Sequence, residues 1–404
     1  MSKSNAAKST AASQTAHYRP ETRLVHSGTL RSEFGETSEG LFLTQGYVYE
    51  TAELCEARFK GEDPGFIYSR YSNPTIAMFE RRMIELEGAE ACRSTATGMA
   101  AVTTAVLAPL KAGDHVVASK QLFGSCRYVV EELLPRYGIE STLVNGLDLD
   151  AWKKAMRPNT KSCFLESPTN PTLDVLDIPA IADIAHQGGA RLIVDNVFAT
   201  PMWQSPLALS ADVVVYSATK HIDGQGRCLG GVILSTEAFI AEHLHNFMRQ
   251  TGPSLSPFNA WVLLKGLETL ELRVTRQTEN AGKLADAIAA HSKVSRVVYC
   301  GRPDHPQAAI ITDQMTGGAN LLAFDLGDRE AAWRFLNALE IVDISNNLGD
   351  AKSMATHPST TTHRSMPEEE RQSIGLTQGW VRMSVGLEGA RDLARDVERA
   401  LDRA

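Results

Sequence analysis

The chain has 404 residues, 43% of them hydrophobic and 22% charged, values that suit a globular protein of two or three domains and exclude a fibrous or wholly disordered one. Lys and Arg number 40 against 48 Asp and Glu, a net charge of −8 with no long basic run, so neither nucleic acid nor an anionic membrane is the expected partner. Its longest apolar stretches are strand-length and interrupted, which excludes a transmembrane helix.

Residues 1–18 are rich in Ser, Ala, Thr and Lys without an apolar core; they read as a disordered tail and not as a secretory signal. The cysteines (Cys55, Cys92, Cys126, Cys163, Cys228 and Cys300) form no C-x-x-C pair and no zinc-like spacing with histidine, which points to a reducing, cytoplasmic setting. Residues 19–65 look like an extended arm with one short helix around Ala52–Phe59. An arm without its own core packs on something else, and a partner subunit is the natural candidate. Tyr68, Arg70 and Tyr71 then stand just before Pro74, which opens a helix over Thr75–Glu87. The planar fork of Arg70 matches phosphate oxygens, although most arginines simply face water. In Ser94-Thr-Ala-Thr-Gly-Met99, small hydroxyl residues and Gly98 lead into an Ala-rich helix. Free backbone N–H groups at such a start make either an anion site or a plain N-cap.

From there strand-like and helix-like segments alternate. The strand candidates are His115–Ala118, Thr142–Val144, Cys163–Glu166, Arg191–Asp195, Val213–Tyr216 and Val232–Leu234. Helical patterns at Tyr128–Arg136, Leu149–Met156 and Ala180–Gln187 lie between them. This order predicts a mostly parallel sheet buried on both faces, with the ligand at the carboxyl ends of its strands. Those ends carry Phe123, the loop Glu166-Ser-Pro-Thr-Asn-Pro171, Asp195, and Ser217-Ala-Thr-Lys220. A lysine delivered to the end of a buried strand is a candidate amine nucleophile; an arbitrary lysine is a solvated one. Residues 66–265 are thus assigned to one large domain.

Residues 266–404 read as a smaller α+β domain. It holds a long amphipathic helix over Leu267–His291, strands at 320–326 and 341–345 flanking a helix Arg329–Leu339, and a polar irregular segment Asn346–Arg371. A last strand Trp380–Val385 carries Arg382 and precedes a closing helix Ala390–Leu401.

This set of groups suits pyridoxal 5'-phosphate. Gly98 and Met99 N–H, the Ser217 and Thr219 hydroxyls, and Arg70 with Tyr68 can bind its phosphate. Asp195 can keep the pyridine nitrogen protonated, Phe123 can stack on the ring, and Lys220 can take the aldehyde. His221, His357 and His363 fit no metal-ligand spacing, so no metal is expected. The G-x-G in Ile222-Asp-Gly-Gln-Gly-Arg-Cys228 follows a lysine and opens no helix, which removes a dinucleotide reading.

Tyr68-Ser-Arg70, Thr97-Gly98-Met99, Glu166-Ser-Pro-Thr-Asn-Pro171, Val194-Asp-Asn196 and Ser217-Ala-Thr-Lys220 resemble the motifs of the Cys/Met-metabolism pyridoxal-phosphate enzymes, the cystathionine γ-synthase group. The resemblance runs from about residue 20 to the C-terminus. It implies an aminotransferase-like fold (fold type I) in which Lys220 bonds the cofactor, Asp195 meets its ring nitrogen, Asn170 its ring hydroxyl, and Gly98, Met99, Ser217 and Thr219 its phosphate. It further implies that Tyr68 and Arg70 reach into a neighbouring subunit's site within a homotetramer. Arg382 would take the substrate α-carboxylate, helped by Asn347. Leu122-Phe-Gly-Ser-Cys126, Asn347–Ser353 and Thr356–His363 point within the group to γ-replacement on O-succinylhomoserine by sulfide, a step of methionine biosynthesis. Replacement by cysteine, γ-elimination from methionine and a non-catalytic cofactor-binding scaffold stay open. Phe123 stands where many relatives have tyrosine, so no hydroxyl is available there.

Overall fold

The computed structural model describes residues 17–404, so the disordered tail expected over residues 1–18 lies almost wholly outside the described residues. A seven-stranded sheet forms the centre of the larger part. Its strands are β1 (Ala91–Thr95), β2 (His115–Ser119), β3 (Glu140–Val144), β4 (Thr160–Glu166), β5 (Arg191–Asp195), β6 (Val213–Ser217) and β7 (Gly231–Ser235), in spatial order β1-β7-β6-β5-β4-β2-β3. β3, β2, β4, β5 and β6 are parallel, and β7 runs antiparallel to both β6 and β1. Helices cover both faces, which is why the strands are rich in Val, Ile and Leu without polar alternation. Alternate residues feed two cores: Val117, Leu192, Val194 and Val214 enter one, and Val116, Ile193, Val213 and Val215 the other.

β1 was not among the expected strands. It is a five-residue edge strand that carries Arg93 and Ser94, too polar and short to stand out before the helix Gly98–Leu107 that follows it. The second sheet has the order β10-β11-β12-β9-β8, built from β8 (Arg296–Tyr299), β9 (Leu321–Asp325), β10 (Asp343–Ile344), β11 (Met354–Thr356) and β12 (Trp380–Ser384). β8 and β11 were not anticipated, and β11 interrupts the stretch expected to be irregular. A three-residue strand presents too little of a period-2 pattern to be read. The long amphipathic helix spans Leu270–Ala289, preceded by a separate helix Pro257–Leu267. With the closing helix Ala390–Asp402 it covers this sheet, burying Leu284, Ile288, Phe324, Val381, Leu393 and Val397 together.

The arm begins with an unanticipated helix, α1 (Pro20–His26), and contains α2 (Ala52–Lys60) close to its expected place. Its middle is stapled to α3 (Pro74–Glu87) and to the helix Pro257–Leu267. Buried Glu39 accepts from Arg82 at 2.6 Å and from Lys265, while its backbone carbonyl accepts from Trp261 Nε1 at 3.0 Å. Burial opposes the charge of Glu39, but bonds from Lys265 and Arg82 outweigh it and hold the carboxyl at about 2. Elsewhere the arm exposes apolar side chains: Val48 is 95%, Phe34 86% and Leu43 70% accessible.

Candidate active site

The expected convergence of strand ends occurs. A cleft of about 250 Å³ lies at the carboxyl ends of β2, β4, β5 and β6 and is lined by Gly98, Met99, Phe123, Asn170, Asp195, Ser217, Thr219, Lys220 and Arg382 among others. Lys220 sits three residues beyond β6 in a turn closed by Lys220 N–H donating to Ser217 O at 3.1 Å. Its Nζ donates to Asn347 Oδ1 at 2.6 Å. The loop bearing Asn347 can approach this closely because Gly349 (φ +72°) has no side chain; a Cβ there would lie 2.7 Å from His221 N. Burial, and then the charge of Arg382, lowers the Lys220 ammonium to about 8. A useful fraction of this amine is therefore the free base near neutral pH.

One wall is the start of helix α4 (Gly98–Leu107). Thr97 caps it, its hydroxyl accepting from Ala100 N–H at 3.0 Å, which leaves the Gly98 and Met99 amides without helical partners. Gly98 is required there: a Cβ would meet Ser217 Cβ and Oγ at 2.6 Å. The Thr219 hydroxyl bonds the Gly230 backbone, and Ser217 Oγ faces the cleft. The helix end, two hydroxyls and a close backbone approach form a cradle for a phosphate.

The opposite wall carries two carboxyl groups, Glu166 and Asp195, which are register partners at the ends of β4 and β5. Glu166 was not named as a site residue from sequence. Its place beside Asp195 was the available signal, but only strand register makes the two adjacent. Glu166 Oε2 accepts from Phe123 N–H at 2.9 Å, and Asp195 Oδ1 from Val197 N–H at 3.1 Å. Burial raises both, and the charge of Asp195 raises Glu166 further. Asp195 is therefore the carboxyl of the pair that ionises first, which suits it to a protonated ring nitrogen.

Arg382 is 2% exposed on β12, at the junction of the two sheets' loops. Its Nη1 donates to Asn170 Oδ1 and its Nη2 to Asn346 O, both at 2.8 Å, while its buried Nε has no partner among the described residues. A buried guanidinium with an unpaired N–H, in a side chain that lines a cleft, is suited to a carboxylate. The Asn346 backbone carbonyl accepts from Arg382, and the Asn347 side chain accepts from Lys220. Asn170 Oδ1 is occupied by Arg382, leaving its Nδ2 to donate to a ligand oxygen.

The three histidines considered as ligands have separate partners. His363 Nε2 bonds Asn170 O at 3.1 Å, His221 Nε2 bonds Asn320 Oδ1 at 2.7 Å, and His357 Nε2 bonds Gln378 O at 2.7 Å. Burial lowers His221 and His363 to about 4, so both are neutral positioning groups. Tyr68 and Arg70 are not brought into the cleft of their own chain. Arg70 lies over the rings of Tyr68 and Tyr71, 5.4 and 4.9 Å from their centroids, and bonds the Arg249 carbonyl. The remaining groups fit pyridoxal 5'-phosphate: an amine of lowered basicity, a buried acid, an aromatic wall in Phe123, and an anion cradle too tight for a Cβ.

Residues 21–402 match the family of Cys/Met metabolism PLP-dependent enzymes. The chain is 49% identical over 382 residues to an O-succinylhomoserine sulfhydrylase of Mycobacterium tuberculosis (strain ATCC 25618 / H37Rv), covering 93% of this chain and 94% of that one. It is 37% identical over 394 residues to an L-methionine γ-lyase of Fusobacterium nucleatum subsp. polymorphum, covering 96% and 100%. Among solved structures, a Campylobacter jejuni chain bearing N'-pyridoxyl-lysine-5'-monophosphate superposes with a TM-score of 0.91 at 30% identity, covering 95% of this chain and 100% of that one.

Proposed function

This chain belongs to the Cys/Met metabolism PLP-dependent enzymes, and we propose that within that family it converts O-succinyl-L-homoserine and hydrogen sulfide to L-homocysteine and succinate. It is an enzyme acting on small molecules, and its cofactor is pyridoxal 5'-phosphate. The sulfide reaction is supported by near full-length likeness to a sulfhydrylase, stronger than the likeness to the γ-lyase. The structural observation that carries the site is the pairing of Lys220, an amine at about 8, with the buried, incompletely paired Arg382 in one cleft.

When bound, pyridoxal 5'-phosphate supplies an aldehyde for amino groups and an electron-withdrawing ring that makes the substrate's α- and β-protons acidic. Lys220, Asp195, Asn170 and the Gly98–Met99 cradle with Ser217 and Thr219 would hold it, against the ring of Phe123. Arg382 binds the α-carboxylate of the substrate, which sets the α-carbon before Lys220. Lys220 Nζ moves protons one at a time: it takes the α-proton and gives it up before taking a β-proton; succinate leaves the γ-carbon, sulfide takes its place, and the same amine returns a proton first to the β-carbon and then to the α-carbon. Asn347 orients that amine between transfers. Phe123 supplies an apolar wall and no proton.

The test is a substrate panel on the purified holoenzyme, with O-succinyl- or O-acetylhomoserine and sulfide or cysteine, and with methionine alone. Homocysteine as the main product from the succinyl ester and sulfide is expected. Cystathionine as the main product, or 2-oxobutyrate from methionine, would move the activity to replacement by cysteine or to γ-elimination.

The enzyme is further proposed to be a homotetramer with Tyr68 and Arg70 completing a neighbour's site. Their position outside their own cleft and the exposed Phe34, Leu43 and Val48 of the arm support this. Residues 66–265 are proposed as the cofactor-binding domain and residues 266–404 as the domain supplying Arg382. All six cysteines are free, which supports a cytoplasmic location. Among the described residues no helix is long and apolar enough to cross a membrane.

A further inference from the structure

Past Phe123, Asn346 and Thr362 the cleft continues into an open outer chamber of about 670 Å³ that shares those three residues with it. The chamber's polar wall consists of Ser125, Thr360, Thr361, Thr362 and Ser365, with Arg364 as its one charged residue. The guanidinium of Arg364 is exposed and enters no ion pair among the described residues. Of the acids that line the adjoining pocket, Glu131 and Glu370 are held by Arg127 at 2.6 and 2.8 Å, and neither they nor Glu132 line the chamber or form an ion pair with Arg364. A cation left free among hydroxyls, with no carboxylate in the same wall, has the chemistry of a carboxylate receptor.

We propose that this chamber is the subsite for the terminal carboxylate of a dicarboxylic acyl ester, and that Arg364 selects a succinyl over an acetyl group. The inference rests on the assignment of an acylhomoserine as substrate. With the α-carboxylate on Arg382 and the amino end at Lys220, the γ-oxygen and its acyl group run outward past Phe123 and Thr362. An acetyl group ends there in a methyl, which gains nothing from a guanidinium. A succinyl group extends two methylenes further and ends in an anion that does. The threonine and serine hydroxyls hold the water that completes the anion's shell. The exposure of Arg364 limits the discrimination, because the guanidinium stays hydrated when an acetyl ester is bound.

The experiment measures kcat and KM of the holoenzyme for both esters with sulfide, in wild type and in Arg364→Ala, Arg364→Lys and Arg364→Glu. We expect the succinyl-to-acetyl ratio of kcat/KM to fall roughly tenfold in Arg364→Ala, further in Arg364→Glu, and little in Arg364→Lys, with the change in KM for the succinyl ester. Succinate affinity, measured by calorimetry on the holoenzyme, should weaken in the same order. A ratio unchanged in both Arg364→Ala and Arg364→Glu, an equal loss with both esters, or a succinate Kd that ignores Arg364 overturns the proposal. A wild type that turns over neither ester refutes the acylhomoserine assignment instead, and the succinate titration still decides whether the chamber binds a dicarboxylate.

Discussion

Lys220 occupies a place that an ammonium group does not favour. Its folded value of about 8 lies below the ordinary 10.5, so between those pH values the unfolded chain carries a proton that the folded chain has released. Stability conferred on the protein by this residue therefore rises with pH across that window, and the burial cost is complete below pH 8. Lys220→Met should accordingly stabilise the cofactor-free protein at pH 7, by on the order of 2 kcal/mol, while abolishing turnover and the visible absorbance of the holoenzyme. The gain should shrink as the pH approaches 10.5. Urea unfolding at pH 7 and pH 10 checks this, and an equal or negative effect at both would falsify the account. Glu166 shows the same physics with the opposite sign: burial favours its neutral acid, and that leaves Asp195 as the first of the pair to ionise.

At the level of elements, the site is held from beneath by a buried polar chain. Tyr216 of β6 donates to Glu87 of α3 at 2.5 Å and accepts from Asn196 at 2.7 Å; Gln204 donates to Asn196 Oδ1 at 2.8 Å and to Ser167 O at 2.9 Å. The residues bonded in this way adjoin Glu166, Asp195 and Ser217, so one network ties three strand ends. From above, the constraint is the contact of helix α4 with β6. Gly98→Ala would force its Cβ, 2.6 Å from Ser217 Cβ and Oγ, to push the cradle apart. Such overpacking costs about 1–3 kcal/mol, and the cradle is where it falls, so cofactor Kd should rise tenfold or more. Equilibrium fluorescence titration measures that Kd, with circular dichroism checking that the fold persists. A Kd equal to the wild type's would remove Gly98 from the phosphate cradle.

For the whole molecule, the placement of Tyr68 and Arg70 decides whether one chain suffices. Each chain contributes Lys220 to its own cleft and, in the proposed assembly, Arg70 to a neighbour's. Arg70→Ala and Lys220→Ala homo-oligomers should each be nearly inactive, and subunits exchanged between them should regain activity because some sites then hold both intact residues. Continued inactivity after exchange, verified by native mass spectrometry of the mixed oligomers, would mean that the two residues serve the same cleft, and an Arg70→Ala oligomer that is active by itself would mean that Arg70 serves none. The outcome also bears on the arm, whose Val48, Phe34 and Leu43 are covered only if a partner lies against them.

The parallel core, Lys220, Asp195 and the Gly98 helix start were legible in the sequence, because each is a local fact: an apolar run, a residue at its end, a small residue before a helix. The family was legible for the same reason, since its motifs are short and contiguous. The edge strand β1 and the short β8 and β11 were not, because their stability comes from pairing with distant strands and not from their own pattern. Glu166 became a site residue only through its register with Asp195, 29 positions further along the chain. Arg382 on β12 reaches the cleft, and Arg364 the chamber beyond it, only through packing of the second sheet's part of the chain on the first, and which asparagine bonds Lys220 and which Arg382 is set by that packing. Residue types and their local order thus determined the chemistry this chain can perform. Tertiary contact decided which groups are buried, which are paired, and so which protons and charges the site holds.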